Sequence, residues 1–157
     1  MLEHVNGRDW NQVAPNGRDP ASAELTGRIL IVDDDPHFLR VLGRILSGEN
    51  FQVTSAGGAC DALELIKSTQ FDLIISDLRM PDCDGLNFLE ALRRDGKNVP
   101  VIILTAYGEV DTYLAAMNAG AIEYLNKPIH SEELLRIVRS CLRARANRRH
   151  AASSNRV

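Results

Sequence analysis

From residue 28 onward the chain alternates between short unbroken apolar runs and longer stretches in which apolar residues recur every three or four positions. Ile29-Leu30-Ile31-Val32 runs into Asp33-Asp34-Asp35, Phe71-Asp72-Leu73-Ile74-Ile75-Ser76 into Asp77, and Val101-Ile102-Ile103-Leu104 into Thr105. Short continuous apolar runs fit strands buried on both faces, as in parallel sheets. Phe51 to Ser55 and Ala121 to Leu125 predict two weaker strands. Between the strands Phe38, Leu42 and Ile45, then Leu86, Leu89 and Leu92, then Leu134, Val138 and Cys141 recur at helical spacing. The punctuation agrees with that reading. Asp35-Pro36 is an N-cap followed by proline at the first helical position. Ser131 precedes Glu132 and Glu133, acids where a helix dipole favours them. Gly120 is placed to end the fourth helix.

Strand and helix thus alternate five times, which predicts an α/β fold: a five-stranded parallel sheet, doubly wound, with helices on both faces and right-handed crossovers. The predicted domain spans residues 28–143. Residues 1–27 read as a flexible leader with two Asn-Gly-Arg-Asp copies, Asn6 to Asp9 and Asn16 to Asp19, and Trp10 between them as an exposed or loosely packed aromatic. Residues 144–157 read as a basic flexible tail. In sheets of this kind ligands bind outside the carboxyl ends of the strands. Asp33, Asp34, Asp77, Thr105 and Lys127 all fall there.

Composition narrows the class without naming a chemistry. With 157 residues, a 45% hydrophobic share and a net charge of −3, the chain has material for one core and no global attraction to nucleic acid or an anionic membrane. Cys60, Cys83 and Cys141 form no CxxC pair and are odd in number, so a reducing cytoplasm fits better than a disulfide framework. The first twenty residues hold no apolar run that would read as a signal peptide or membrane span.

The acids at the strand ends carry the chemical argument. Two carboxylates about 5 Å apart repel by roughly 3 kcal/mol at an effective dielectric of about 20. Asp33, Asp34 and Asp77 together therefore need cations. Lys127 supplies one charge, and a hard divalent ion with oxygen ligands, Mg²⁺, supplies the rest.

These residues resemble the receiver domain of bacterial two-component response regulators, CheY-like proteins. The resemblance covers about residues 28–143. It rests on Val32-Asp33-Asp34-Asp35, on Ser76-Asp77-Leu78-Arg79-Met80-Pro81 running into Asp84-Gly85, on Leu104-Thr105-Ala106, and on Tyr124-Leu125-Asn126-Lys127-Pro128. It implies the flavodoxin-like strand order 2-1-3-4-5. It also implies that Asp77 accepts a phosphoryl group from a phosphohistidine on a sensor histidine kinase or phosphotransfer protein. Asp34, Asp77 and the Arg79 backbone carbonyl would ligate Mg²⁺, with Asp33 holding the ion through water. Lys127 would pair with Asp77 and then with the phosphoryl oxygens, and a cis peptide commonly joins such a lysine to the following proline. Thr105 would donate its hydroxyl to the phosphoryl group, and Tyr124 would be the switch residue. The chain would catalyse only its own phosphorylation and dephosphorylation.

The fourth helix reads as a weakly anchored element, its apolar face little more than Val110, Leu114 and Met117 with small Ala115, Ala116 and Ala119. The face made by that helix, the fifth strand and the fifth helix would bind an unknown downstream protein, with a homodimer on activation as a further possibility. Arg79 and Tyr107 flank the expected path of attacking water.

Other readings fit less well. A haloacid-dehalogenase-like phosphatase shares the Asp33-x-Asp35 spacing, but Pro36 and His37 follow it and the chain is short for a catalytic domain with a cap. A flavodoxin-like nucleotide binder would need a Gly-rich phosphate loop after the first strand, where three acids stand instead. Arg136, Arg139, Arg143, Arg145, Arg148 and Arg149 crowd the last helix and tail. With no room after residue 143 for a helix-turn-helix unit, direct DNA binding is not expected. His4, His37, His130 and His150 show no ligand spacing, and Cys83 reads as an inert thiol beside Asp77.

Overall fold

The computed structural model describes residues 25–156. Ten elements alternate: β1 (Arg28–Val32), α1 (Pro36–Ser47), β2 (Gln52–Ala56), α2 (Ala59–Ser68), β3 (Leu73–Ser76), α3 (Gly85–Arg94), β4 (Val101–Thr105), α4 (Val110–Asn118), β5 (Glu123–Asn126) and α5 (Ser131–Ser154). The strands form one parallel sheet in the order β2-β1-β3-β4-β5.

Period-two alternation divides each central strand between two cores. Leu30, Val32, Ile74, Val101 and Ile103 face α2, α3 and α4 and pack with Phe88, Leu89 and Leu92. Ile29, Ile31, Leu73, Ile75, Ile102 and Leu104 face α1 and α5 and pack with Leu42, Leu46, Leu134 and Val138. Because both faces are covered, β1, β3 and β4 read as unbroken apolar runs. Each such side chain contributes about 1.5–3 kcal/mol by burial, so truncating Leu30 or Ile103 to alanine costs about 2–5 kcal/mol.

The structure departs from the sequence reading at four places. β2 and β5 begin one and two residues later than their apolar patterns, because Phe51 and Ala121 are buried in the turns that lead into them. The domain starts before residue 28: Leu25 packs against the α1–α5 core, and the Gly27 carbonyl accepts the Gln52 N–H at 2.9 Å. The remaining leader, with Trp10 and both repeats, lies outside the described residues.

The expected flexible tail is helical as far as Ser154. Ala144, Ala146, Ala151 and Ala152 favour helix, and Arg145 and Arg149 pair with Asp72 at 3.5 and 3.0 Å, tying the extension to the amino end of β3. Finally, α4 does not bury the face expected of it. Val110 and Leu114 are 74% and 52% exposed, and the helix docks through Ala116, with Met117 and Ala119 partly buried.

Candidate functional site

The turn after β1 places Asp33 and Asp34 beside Asp77, which leaves β3. Asp35 stays out of the cluster and caps α1, accepting the His37 and Phe38 N–H groups at 2.9 and 3.3 Å. Asp33 is 3% exposed and Asp77 7%, while Asp34 is open to solvent. One carboxylate oxygen from each of the three lies within 4.8 Å of the others.

Lys127, just beyond β5, reaches across β4 to them. Its ammonium lies 2.6 Å from Asp33 Oδ2 and 3.8 Å from Asp77 Oδ2, so it is shared but held more tightly by Asp33. The Phe38 ring lies 3.9 Å below the same ammonium, a cation–π contact that helps hold the charge in a partly dry place. The Lys127–Pro128 peptide is cis.

Asp77 has little else to satisfy its charge. The Leu78 N–H donates to Oδ1 at 2.8 Å. Burial pushes the carboxyl above the ordinary aspartate range. Lys127 pulls against that, Asp33 adds to it, and the Leu78 amide and Thr105 hydroxyl pull it lower. A buried anion faced by a second anion is therefore incompletely compensated by protein cations. The donor set, three carboxylate oxygens in a pocket open on the Asp34 side, fits a hard divalent cation such as Mg²⁺.

Two glycine and threonine details shape the wall of this pocket. Gly85 opens α3 directly against the end of β3: its N–H donates to the Leu78 carbonyl at 2.7 Å, and a Cβ there would collide with the Asp77 carbonyl. Thr105, fully buried at the end of β4, accepts the Tyr107 N–H at 3.1 Å through its hydroxyl oxygen. Arg79 and Tyr107, two residues beyond Asp77 and Thr105, form an exposed pair, the guanidinium 4.8 Å above the ring. Tyr124 stands apart from the acids. It is half-buried on β5, its hydroxyl 2.7 Å from Thr112 Oγ1 and its ring edge-on to Tyr113 at 5.7 Å.

The structure therefore gathers Asp33, Asp34, Asp77, Thr105 and Lys127 and leaves Tyr124 one strand away against α4. The sequence reading took Phe38 only as a core residue and passed over Thr112 and Tyr113. Helical spacing marks Phe38 as inward-facing but says nothing of the cation above it, and the Thr112–Tyr124 bond joins residues on different elements.

A parallel α/β sheet with a buried aspartate, a metal-compatible acid cluster, a threonine and a lysine at consecutive strand ends defines a phosphoacceptor switch module. A family model described as the response regulator receiver domain matches residues 29–139, and the chain belongs to that family. It is 42% identical over 118 residues to the two-component response regulator ORR24 of Oryza sativa subsp. indica, covering 74% of this chain and 19% of that one. It is 38% identical over 106 residues to the transcriptional regulatory protein ZraR of Klebsiella oxytoca, covering 68% and 24%. A solved CheY-like receiver domain protein from Methanospirillum hungatei JF-1 superposes with a TM-score of 0.74 at 31% identity, covering 77% of this chain and 97% of that one.

The chain thus spans about a fifth to a quarter of the length of those two relatives. Neither the family match nor the structural neighbours point to the haloacid-dehalogenase-like alternative. No helix among the described residues is long and apolar enough to cross a membrane.

Proposed function

We propose that Asp77 is the phosphoacceptor and that the chain is switched by its Mg²⁺-dependent phosphorylation. The carrying observation is that Asp77, buried at the end of β3, shares a 4.8 Å oxygen cluster with Asp33 and Asp34 and has the Lys127 ammonium 3.8 Å away. Asp34, Asp77 and the Arg79 carbonyl would hold Mg²⁺, with Asp33 behind a water. The ion supplies neutralisation of the charge spread over the transferring phosphoryl group.

A carboxylate oxygen of Asp77 attacks phosphorus in line. The P–N bond of the donor phosphohistidine breaks, the imidazole leaves with a proton from solvent, and an aspartyl phosphate remains. Lys127, already shared between two acids, can follow the new phosphoryl oxygens without crossing the pocket. The Thr105 hydroxyl, whose oxygen accepts from Tyr107 and whose hydrogen points toward the Asp77 carboxylate, would turn that hydrogen to one of them.

The donor is a sensor histidine kinase or phosphotransfer protein, and the setting is cytoplasmic. Movement of Thr105 toward the phosphoryl group would leave space beneath α4, and Tyr124 would exchange its Thr112 bond for that space. The apolar surface left open by α4 and the turn before β5, Val110, Leu114 and Ile122, supports the α4–β5–α5 face as the place where a downstream protein or a second copy docks. Phosphorylation can bias α4 only because the two states contact it differently.

The test is labelling with acetyl phosphate and Mg²⁺. Wild-type protein is expected to take up base-labile label stoichiometrically and Asp77→Asn none. Persistent label on the variant removes Asp77 from the role.

A further inference from the structure

Helix α2 begins without a cap of its own. Its N-cap residue is Gly58, which makes no side-chain bond to the first-turn amides, and such amides need an acceptor from elsewhere. The acceptor comes from the loop between β3 and α3. Asp82 Oδ2 takes the Cys60 N–H at 2.9 Å, while Asp82 Oδ1 takes the Cys83 N–H of its own loop at 2.9 Å. The Asp82 carboxyl is held below the ordinary aspartate range, chiefly by the Cys60 amide, with the Cys60 thiol and the Ala59 and Cys83 amides adding to it against slight burial. The fit is two-sided: a Cβ at Gly58 would lie 2.7 Å from Asp82 Oδ2, so only glycine there lets the carboxylate reach the helix.

The loop that supplies this cap is the one that matters for chemistry. It starts at Asp77, carries Arg79, and ends at Asp84, which caps α3 by accepting the Asn87 N–H at 2.8 Å. Asp84 and Gly85 fix its far end, and Met80 anchors its middle in the core. Asp82 adds a polar tie from the loop to a different element, α2.

We propose that Asp82 is a positioning residue for the phosphorylation site: by capping α2 in trans it holds loop 77–84 in the shape that presents the Arg79 carbonyl to Mg²⁺. The inference rests on the function proposed above. A loop that supplies a ligand atom binds the ion only in its competent shape, and the apparent affinity falls with the fraction of molecules in that shape. Without the tie, the ion must order the loop against its conformational entropy. Asp82 need not touch the ion to affect it.

The experiment is a Mg²⁺ titration of the full chain read by melting temperature, with amide exchange at residues 58–62 and 78–84 in parallel. Asp82→Ala is expected to raise the Mg²⁺ midpoint by about three- to tenfold, the ratio that loss of one helix cap corresponds to. Exchange at the Cys60 and Cys83 amides is expected to quicken with and without the ion. Asp82→Asn keeps one acceptor oxygen where two amides compete and is expected to fall between. Gly58→Ala leaves Asp82 intact, displaces its carboxylate from the α2 side, and is expected to reproduce Asp82→Ala. A cap lost for stability alone would lower the metal-free melting temperature and leave the midpoint in place. That result in both Asp82→Ala and Gly58→Ala overturns the inference while the metal reading stands. A wild type whose melting temperature ignores Mg²⁺ overturns the metal reading, and the inference with it.

Discussion

The two ends of the sheet carry the same kinds of side chain in opposite balance. At the carboxyl end three carboxylates face one ammonium, and that ammonium is divided between Asp33 and Asp77. At the amino end one carboxylate, Asp72, faces two guanidiniums and also accepts the Arg28 N–H at 2.9 Å. A cleft of about 570 Å³ opens there, lined by Arg28, Gln52, Asp72, Arg145 and Arg149, so cavity size alone would direct attention to the wrong end of the molecule. The amino end has met its one carboxylate with cations from within the chain, leaving the buried Arg145 Nε without a hydrogen bond, and serves to hold α5. The carboxyl end has not, and an unmet demand for cations is what a metal-assisted phosphoryl acceptor requires.

That contrast is open to direct attack. The largest effect is expected from Asp34→Ala: wild-type melting temperature rises with Mg²⁺ by mass action, and the variant is expected to lose the rise altogether. An equal Mg²⁺ shift in both proteins, followed by calorimetry, would remove Asp34 from the metal site.

Next in size, Asp72→Ala is expected to destabilise the fold by about 1–2 kcal/mol, since it strips an acceptor from the Arg28 amide and the partner from two arginines. The loss is expected to shrink in 0.5 M salt, on the order of the screening that removes exposed pairs. Urea unfolding at two salt concentrations measures it.

The mirror experiment at the other end has the opposite sign. Asp77 has a raised carboxyl in the folded state, so its ionisation opposes folding, and the neutral Asp77→Asn is expected to be more stable than wild type at pH 7 in chelator. A shift of a few degrees would be about 1 kcal/mol in a domain of this size. Protonated Asp77 carries no such penalty, so the advantage is expected to fade as pH falls through the folded-state value and to vanish below the unfolded one. Thermal scans from pH 4 to 8 decide it, and a variant less stable than wild type at pH 7 would mean that Asp77 is already compensated.

The smallest effect is expected at the rim. Arg79→Ala with Tyr107→Ala removes the stacked pair, and if that pair gates water at Asp77 the aspartyl phosphate is expected to hydrolyse a few times faster. Decay of label after removal of the donor gives the rate, and equal rates would mean that the pair does not gate water.

How much of this was legible in the chain depended on whether a residue's role is local. Ile29 to Val32 and Val101 to Leu104 announce central strands because they are buried on both sides, and the acids and Thr105 follow them immediately. Phe51 and Ala121 look like strand residues because they are apolar, yet the edge strands begin only where a neighbour supplies hydrogen-bond register. In α4 the apolar residues were visible but their direction was not: Val110 and Leu114 face solvent, and Ala116, too small to mark a face, makes the buried contact. The Asp72–Arg149 and Asp82–Cys60 contacts join residues far apart in sequence, and neither has a spacing that marks it. Lys127 was assigned to Asp77 by resemblance. That it sits closer to Asp33 is a matter of tenths of a nanometre that no motif encodes.

The extension of α5 has a mechanical consequence. Twenty-four residues make a rod about 36 Å long, and a tilt of about 10° at Ser131 would carry its far end about 6 Å. Arg145 and Arg149 both converge on a single atom, Asp72 Oδ1. The two arms fix where the rod crosses the sheet edge, and its angle rests on the packing of Leu134, Val138 and Leu142 against the sheet. Small adjustments in that packing would reach Ser154 already magnified.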